Sequence, residues 1–167
     1  NGLLGAQVLL TYGDIADPLR RKNLQNTLEQ LLKWKVIPIL NENDAIATEE
    51  IRFGDNDSLS AKVAAAMSAD RLVILTDVDG LYDKNPQEYP DAKRFETVRK
   101  ITDETIKYAG KKISKNSLGG MKSKLQAAKY ATENGVNVTI ASDISGRDTL
   151  VRVVLEGKIF GTQFLAQ

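Results

Sequence analysis

Asp55, Asn56 and Asp57 stand in direct succession inside "EEIRFGDNDSLSAK", and a segment with helical spacing begins at once behind them. Two carboxylates flanking an amide can hold a substrate's ammonium group or fix a lysine, but the same residue types cap helices and build turns. The tripeptide alone leaves both readings open, and Asp57, directly before Ser58, Leu59 and Ser60, is the expected cap. Similar side chains follow three apolar runs: "VIPIL" leads into Asn41, Glu42, Asn43 and Asp44; "RLVILT" ends on Thr76 and leads into Asp77 and Asp79; "VNVTIA" leads into Ser142 and Asp143. Open α/β sheets bind ligands at the carboxyl ends of their strands, so polar residues at three such ends mark a candidate substrate surface. Each end taken singly is explained by capping and turn chemistry.

The segment "SLGGMKSK" supplies a candidate phosphate site, because Gly119 and Gly120 open a helix whose free N–H groups and dipole favour an anion. It is not a Walker A loop, which needs glycine where Asn116 and Met121 stand. With Met121 and Leu125 facing a core, Lys124 lies about 60° from Met121 and Lys122 about 100° away on the other side. Lys124 therefore borders the apolar stripe, where it can reach a bound phosphate or simply extend along a helix flank. A calcium loop placed on Gly80 fails at Leu75 and Pro86. No metal site is expected in the protein itself; Mg²⁺ arriving with a nucleotide needs only one or two carboxylates besides phosphate oxygens.

The elements that must position these residues are legible as alternating strands and helices. "AQVLLT", "VIPIL", "RLVILT" and "VNVTIA" are nearly continuous apolar runs, as expected of strands covered on both faces. Leu24, Leu28, Leu31 and Leu32 share a helical face, as do Leu59, Val63, Ala66 and Met67. A third helix is expected from Gly120 to Glu133, stopped by Asn134 and Gly135, and a fourth from Arg147 to Glu156 before a last strand "KIFGTQF". Asp77 to Pro90 and Ala109 to Gly120 read as loops. The order predicts an α/β domain with a mainly parallel sheet.

Composition narrows the chemistry further. The 167 residues contain no cysteine and no histidine, which removes disulfides, thiolate chemistry and imidazole catalysis. Twenty-three Lys and Arg against twenty-two Asp and Glu leave a net charge of +1, which gives no field for nucleic acid or an anionic membrane. No apolar run reaches the ~20 residues of a membrane span, and "NGLLGAQVLL" lacks the basic start of a secretory signal. A cytoplasmic protein is expected, and an N-terminal Asn fits a processed or truncated chain.

The blocks "VIPILNENDAIATEEIRFGDNDSLSA", "LVILTDVDGLYDKNP" and "LGGMKSKLQAA" closely resemble, in order and spacing, those of the bacterial glutamate 5-kinases within the amino acid kinase family, over Gln7 to Phe164. The resemblance implies an amino acid kinase fold, its mainly parallel sheet sandwiched between helix layers, here a single domain over residues 1–167 that lacks the family's N-terminal strand, glycine-rich turn and second catalytic lysine. The RNA-binding-like PUA domain of many bacterial members is likewise not expected in it. It further implies transfer of the γ-phosphoryl group of ATP to the side-chain carboxylate of L-glutamate, with Mg²⁺, on the way to proline. By motif position Asp44 and Asn56 are expected to bind glutamate, Asp57 to organise catalytic lysines, and Lys124 to be one of those lysines. Thr76, Asp77 and the run Leu118, Gly119, Gly120, Met121, Lys122, Ser123 and Lys124 are expected at ATP.

Ser117 and Leu118 depart from the family's Gly-Thr pair, removing a hydroxyl near the phosphates. Family members form dimers or tetramers, so a homo-oligomer is expected, and the 167 residues alone are expected to be inactive. The competing readings are a non-catalytic nucleotide-binding or assembly module and another amino acid kinase with a different acceptor.

Overall fold

The computed structural model describes residues 2–46, 55–110, 118–142, 149–155 and 161–167. Strand β1 (Leu4–Leu10) pairs in parallel with β2 (Val36–Glu42), Leu4 opposite Val36 and Leu10 opposite Glu42. The crossover between them carries α1 (Tyr12–Ala16) and α2 (Pro18–Lys33). Asp17 caps α2 by accepting the Arg20 N–H at 2.8 Å, and Pro18 pre-sets the first turn, so the helix begins where its free amides are best satisfied. Leu24 and Leu28 then bury one face of α2 against Leu10 and Ile15.

A second sheet has the order β3-β5-β6-β4, built from β3 (Arg71–Thr76), β4 (Thr97–Val98), β5 (Asn137–Ser142) and β6 (Thr162–Phe164). β3 and β5 run parallel, β4 and β6 run parallel, and β6 is antiparallel to β5, so the sheets are mainly parallel as expected. Helices α3 (Asn56–Ala66), α4 (Asp103–Gly110), α5 (Leu118–Glu133) and α6 (Thr149–Leu155) complete the order. α5 stops as the "NG" signal predicts: Gly135 takes φ +82°, and the Val136 N–H returns to the Ala131 carbonyl at 3.0 Å.

α3 is shared between two cores. Leu59, with Val63 and Met67, packs with Leu10, Leu24 and Leu28, whereas Ala61 and Ala64 join the cluster of Met121, Leu125, Ala128, Ile74 and Ile140. The alanines on α3 and at positions 127, 128 and 131 of α5 are small enough for the two helices to pack closely.

Several sequence expectations change. β5 is buried along nearly its whole length, but Leu9, Ile37 and Ile39 on one face of β1 and β2 are exposed, so that sheet is covered on one side only among the described residues. β2 extends through Asn41 and Glu42, which are strand residues and not the turn beyond it. α1, α4 and β4 were not expected; each is short, and β4 exists through pairing with β6, not through its own pattern. At the two ends of the second expected loop α4 reaches Gly110 and α5 starts at Leu118, while 111–117 lie outside the described residues. The fourth helix is α6, and the expected helix positions 147, 148 and 156 also lie outside them.

The loop expected from Asp77 is real and is tied shut at its base. The Phe95 N–H bonds the Leu81 carbonyl at 2.8 Å, and the wholly buried Thr162 hydroxyl accepts the Leu81 N–H at 2.8 Å while donating to the Phe95 carbonyl at 2.6 Å. Gly80, at φ +139°, is required beside it, since a Cβ there would lie 2.6 Å from Thr162 Oγ1. Thr162→Val keeps the shape and deprives the buried Leu81 N–H and the partly buried Phe95 carbonyl of this partner. It is expected to cost about 2–4 kcal/mol, read from the urea unfolding midpoint at unchanged m-value.

Candidate active site

The first turn of α3 places the opening tripeptide. Asp55 takes extended backbone angles (φ −159°, ψ 167°) as the N-cap, and one carboxylate oxygen accepts the Ser58 N–H at 2.7 Å. The cap is therefore Asp55, where the sequence pointed to Asp57; the helix begins two residues earlier, at Asn56, and Asp57 becomes its second residue. That shift frees the Asp57 side chain to face α5.

α5 answers with two consecutive residues. Met121 and Leu125 are buried and Lys122 is exposed, as the helical angles predict, while the Lys124 side chain is only 16% exposed. Lys124 Nζ lies 3.0 Å from Asp57 Oδ2, whose side chain is 19% exposed. Partial burial reduces solvent screening, so this ion pair is stronger than an exposed one, and the loss of either partner strands a charge. Ser123 Oγ donates to Asp55 Oδ2 and lies 3.3 Å from Asp57 Oδ2. No periodicity points to this serine contact; it arises from the crossing of two helices.

Helical side chains tilt toward the N-terminus, so Lys124 reaches back toward the start of α5. There Gly120 is exposed, and a Cβ built on it would meet none of the described residues within 4 Å. The first-turn N–H groups of a helix, the positive end of its dipole and a lysine already held by a carboxylate make this an anion-favouring corner.

β3 ends beside a different surface. The Thr76 hydroxyl donates to Asp77 Oδ1 at 3.1 Å, and the loop beyond is braced by Asp79, which accepts from the Tyr82 hydroxyl at 2.8 Å and from Arg94 at 2.9 Å. Burial, reinforced by the Asp79 carboxylate, holds the Tyr82 phenol above its ordinary pKa and therefore protonated as a donor. Val78, Leu81, Tyr82, Tyr108 and Met121 line a small, mainly apolar pocket, which places Met121 in the pocket wall and core instead of at the free amides.

The remaining sequence candidates are less gathered. Asp44 is exposed just past β2, and Asn56 is exposed at the first helical position of α3. Neither joins the Asp57–Lys124 pair, and 47–54, which connect them, lie outside the described residues, as does Asp143. Leu118 and Gly119 belong to the first turn of α5. Among the described residues, no group of three or more acidic side chains is arranged to hold a metal ion.

Comparison with known proteins gives a consistent picture. The model of the amino acid kinase family matches residues 1–142. The chain is 47% identical over 165 residues to a glutamate 5-kinase of Caldanaerobacter subterraneus subsp. tengcongensis, covering 98% of this chain and 44% of that protein. It is 50% identical over 165 residues to a glutamate 5-kinase of Streptococcus sanguinis, covering 99% of this chain and 44% of that protein. The chain thus spans less than half the length of these relatives. Among solved structures, UMP kinase from Bacillus anthracis superposes with a TM-score of 0.65 at 14% identity, covering 99% of this chain and 59% of that one, a likeness of fold.

The ion pair can be weighed directly. A double-mutant cycle with Asp57→Asn and Lys124→Met, followed by urea unfolding, is expected to return a coupling of about 1–2 kcal/mol, above the ~0.5 of an exposed pair.

Proposed function

The chain belongs to the amino acid kinase family, and from that premise we propose that the protein, at the length of its relatives, transfers the γ-phosphoryl group of ATP to the side-chain carboxylate of L-glutamate. The observation that carries this reading is the Asp57–Lys124 pair beside the N-terminal turn of α5. It is supported by near 50% identity to glutamate 5-kinases over almost the whole chain.

The chemistry suits a protein without histidine. A glutamate side chain, with an ordinary pKa of about 4.3, is already an anion at neutral pH, so no general base is needed. One carboxylate oxygen attacks the γ-phosphorus, the bond to the β–γ bridging oxygen breaks, and ADP leaves with that electron pair. No proton is transferred. The requirement is alignment of two anions and neutralisation of the charge between them.

In this reading Lys124 contacts the transferring phosphoryl group, Asp57 holds Lys124 in place, and Asp44 and Asn56 bind the amino acid through its ammonium and polar atoms. The amides of Leu118, Gly119 and Gly120 receive phosphate oxygens, with Lys122 and Ser123 in the same segment. Thr76 and Asp77 meet the nucleotide at the end of β3, where the small apolar pocket containing Leu81, Tyr82 and Tyr108 offers a surface for its base. Mg²⁺ fits as an ion carried by the nucleotide and met by Asp77, since Asp57 already holds a lysine; bound there it would neutralise phosphate charge. A cytoplasmic dimer or tetramer belongs to the same reading.

The test is ADP release by the full-length protein with ATP, Mg²⁺ and L-glutamate, against aspartate, carbamate and UMP as alternative acceptors. Glutamate-dependent turnover is expected, with Lys124→Ala and Asp57→Ala each lowering kcat by about 10²-fold or more. Absence of glutamate-dependent turnover overturns the reading, and turnover with another acceptor alone reassigns the substrate.

A further inference from the structure

Ser123 differs from its neighbours in the phosphate segment because its hydroxyl faces α3. Its Oγ bonds Asp55 Oδ2 and lies 3.3 Å from Asp57 Oδ2. The other oxygen of Asp55 accepts the Ser58 N–H, and Asp57 Oδ2 is also the partner of Lys124. A serine hydroxyl carries one proton, so at any moment it completes a hydrogen bond to one of these carboxylates. Rotation about the Cβ–Oγ bond moves that proton from one to the other without displacing a heavy atom.

This asymmetry bears on the lysine. If Lys124 acts on a transferring phosphoryl group, as the proposed function holds, it must loosen its grip on Asp57. Asp57 is then a mostly buried carboxylate short of a cation, which is costly and favours pulling the lysine back. Asp55 can spare a donor more easily, being exposed and still bonded to the Ser58 amide.

Resting on that reading, we propose that Ser123 is a positioning residue whose hydroxyl turns from Asp55 to Asp57 as Lys124 moves onto the phosphoryl group. It thereby holds Asp57 in register while the lysine is shared, and the hydroxyl itself does not contact the nucleotide.

The experiment is steady-state kinetics on the full-length protein with ATP and L-glutamate. Ser123→Ala is expected to lower kcat about tenfold with the KM for ATP changed less than about twofold, and Ser123→Thr to restore most of the loss. A raised KM for ATP at unchanged kcat makes Ser123 a nucleotide contact and overturns the proposal, as do wild-type values for both constants. Should Ser123→Ala not fold by its thermal melt, Ser123→Cys, similar in shape but a weak donor, carries the same two readings. Lys124→Ala, assayed in parallel, separates the hypotheses. If the unsubstituted protein shows no glutamate-dependent turnover, the phosphoryl-transfer reading falls. If Lys124→Ala retains full turnover, the lysine has no such role and the proposal for Ser123 falls with it. An inactive Lys124→Ala beside a wild-type Ser123→Ala removes only the role given to Ser123.

Discussion

One helix has to satisfy two cores at once, and most of the structure follows from that constraint. α3 turns Leu59, Val63 and Met67 to the layer formed with β1 and α2, and Ala61 and Ala64 to the layer formed with α5 and the four-stranded sheet. The large residues fill one side, and the small ones admit a neighbouring helix on the other. A helix clamped in this way cannot slide or rotate without opening a cavity on one side or a clash on the other. The position of its first turn is thus set by apolar packing well away from any polar group. Asp55 and Asp57 inherit that precision, which is why a charged pair can be held at one distance across the gap to α5.

The site is built from carboxylates, lysine, hydroxyls and amides alone, because the chain offers no imidazole or thiol. Such a set is poorly suited to shuttling protons near neutral pH and well suited to arranging fixed charge. The Asp57–Lys124 pair keeps a cation in an enclosed place where an unpaired ammonium would be expensive to hold. The free amides of α5 add positive potential that no titration removes. Preorganised charge of this sort does more for a reaction between anions than any acid or base would.

Much of this was legible in the residues themselves. The helical angles of Met121, Lys122, Lys124 and Leu125 correctly separated an exposed lysine from an enclosed one, and "NG" marked the end of α5. What escaped were features set by partners distant in sequence. β4 is two residues long and has no pattern of its own; it is a strand because β6 lies beside it. The cap moved from Asp57 to Asp55 because the packing of Leu59 and Ala61 fixes the helix phase, which a run of three capping residues leaves undetermined. Continuous apolar runs in β1 and β2 pointed to cover on both faces, yet Leu9, Ile37 and Ile39 are exposed here, since a run of Ile and Leu says how a strand is dressed and not what lies against it. The contact of Ser123 with two carboxylates required knowing where α3 and α5 cross.

Thr162 gives the fold a direction in time. The loop that follows β3 begins at Asp77, but the hydroxyl that ties its two ends together lies on β6, more than eighty residues further along the chain. β6 also separates β4 from β5, so the four-stranded sheet has no complete hydrogen-bonding order until Phe164 is in place. On a ribosome, the first parallel pair and its helices can settle early, whereas the loop beside the candidate nucleotide pocket must wait for the far end of this segment to emerge. The residues that shape that pocket are therefore among the last to become ordered, and a chain interrupted before β6 would carry them without their shape.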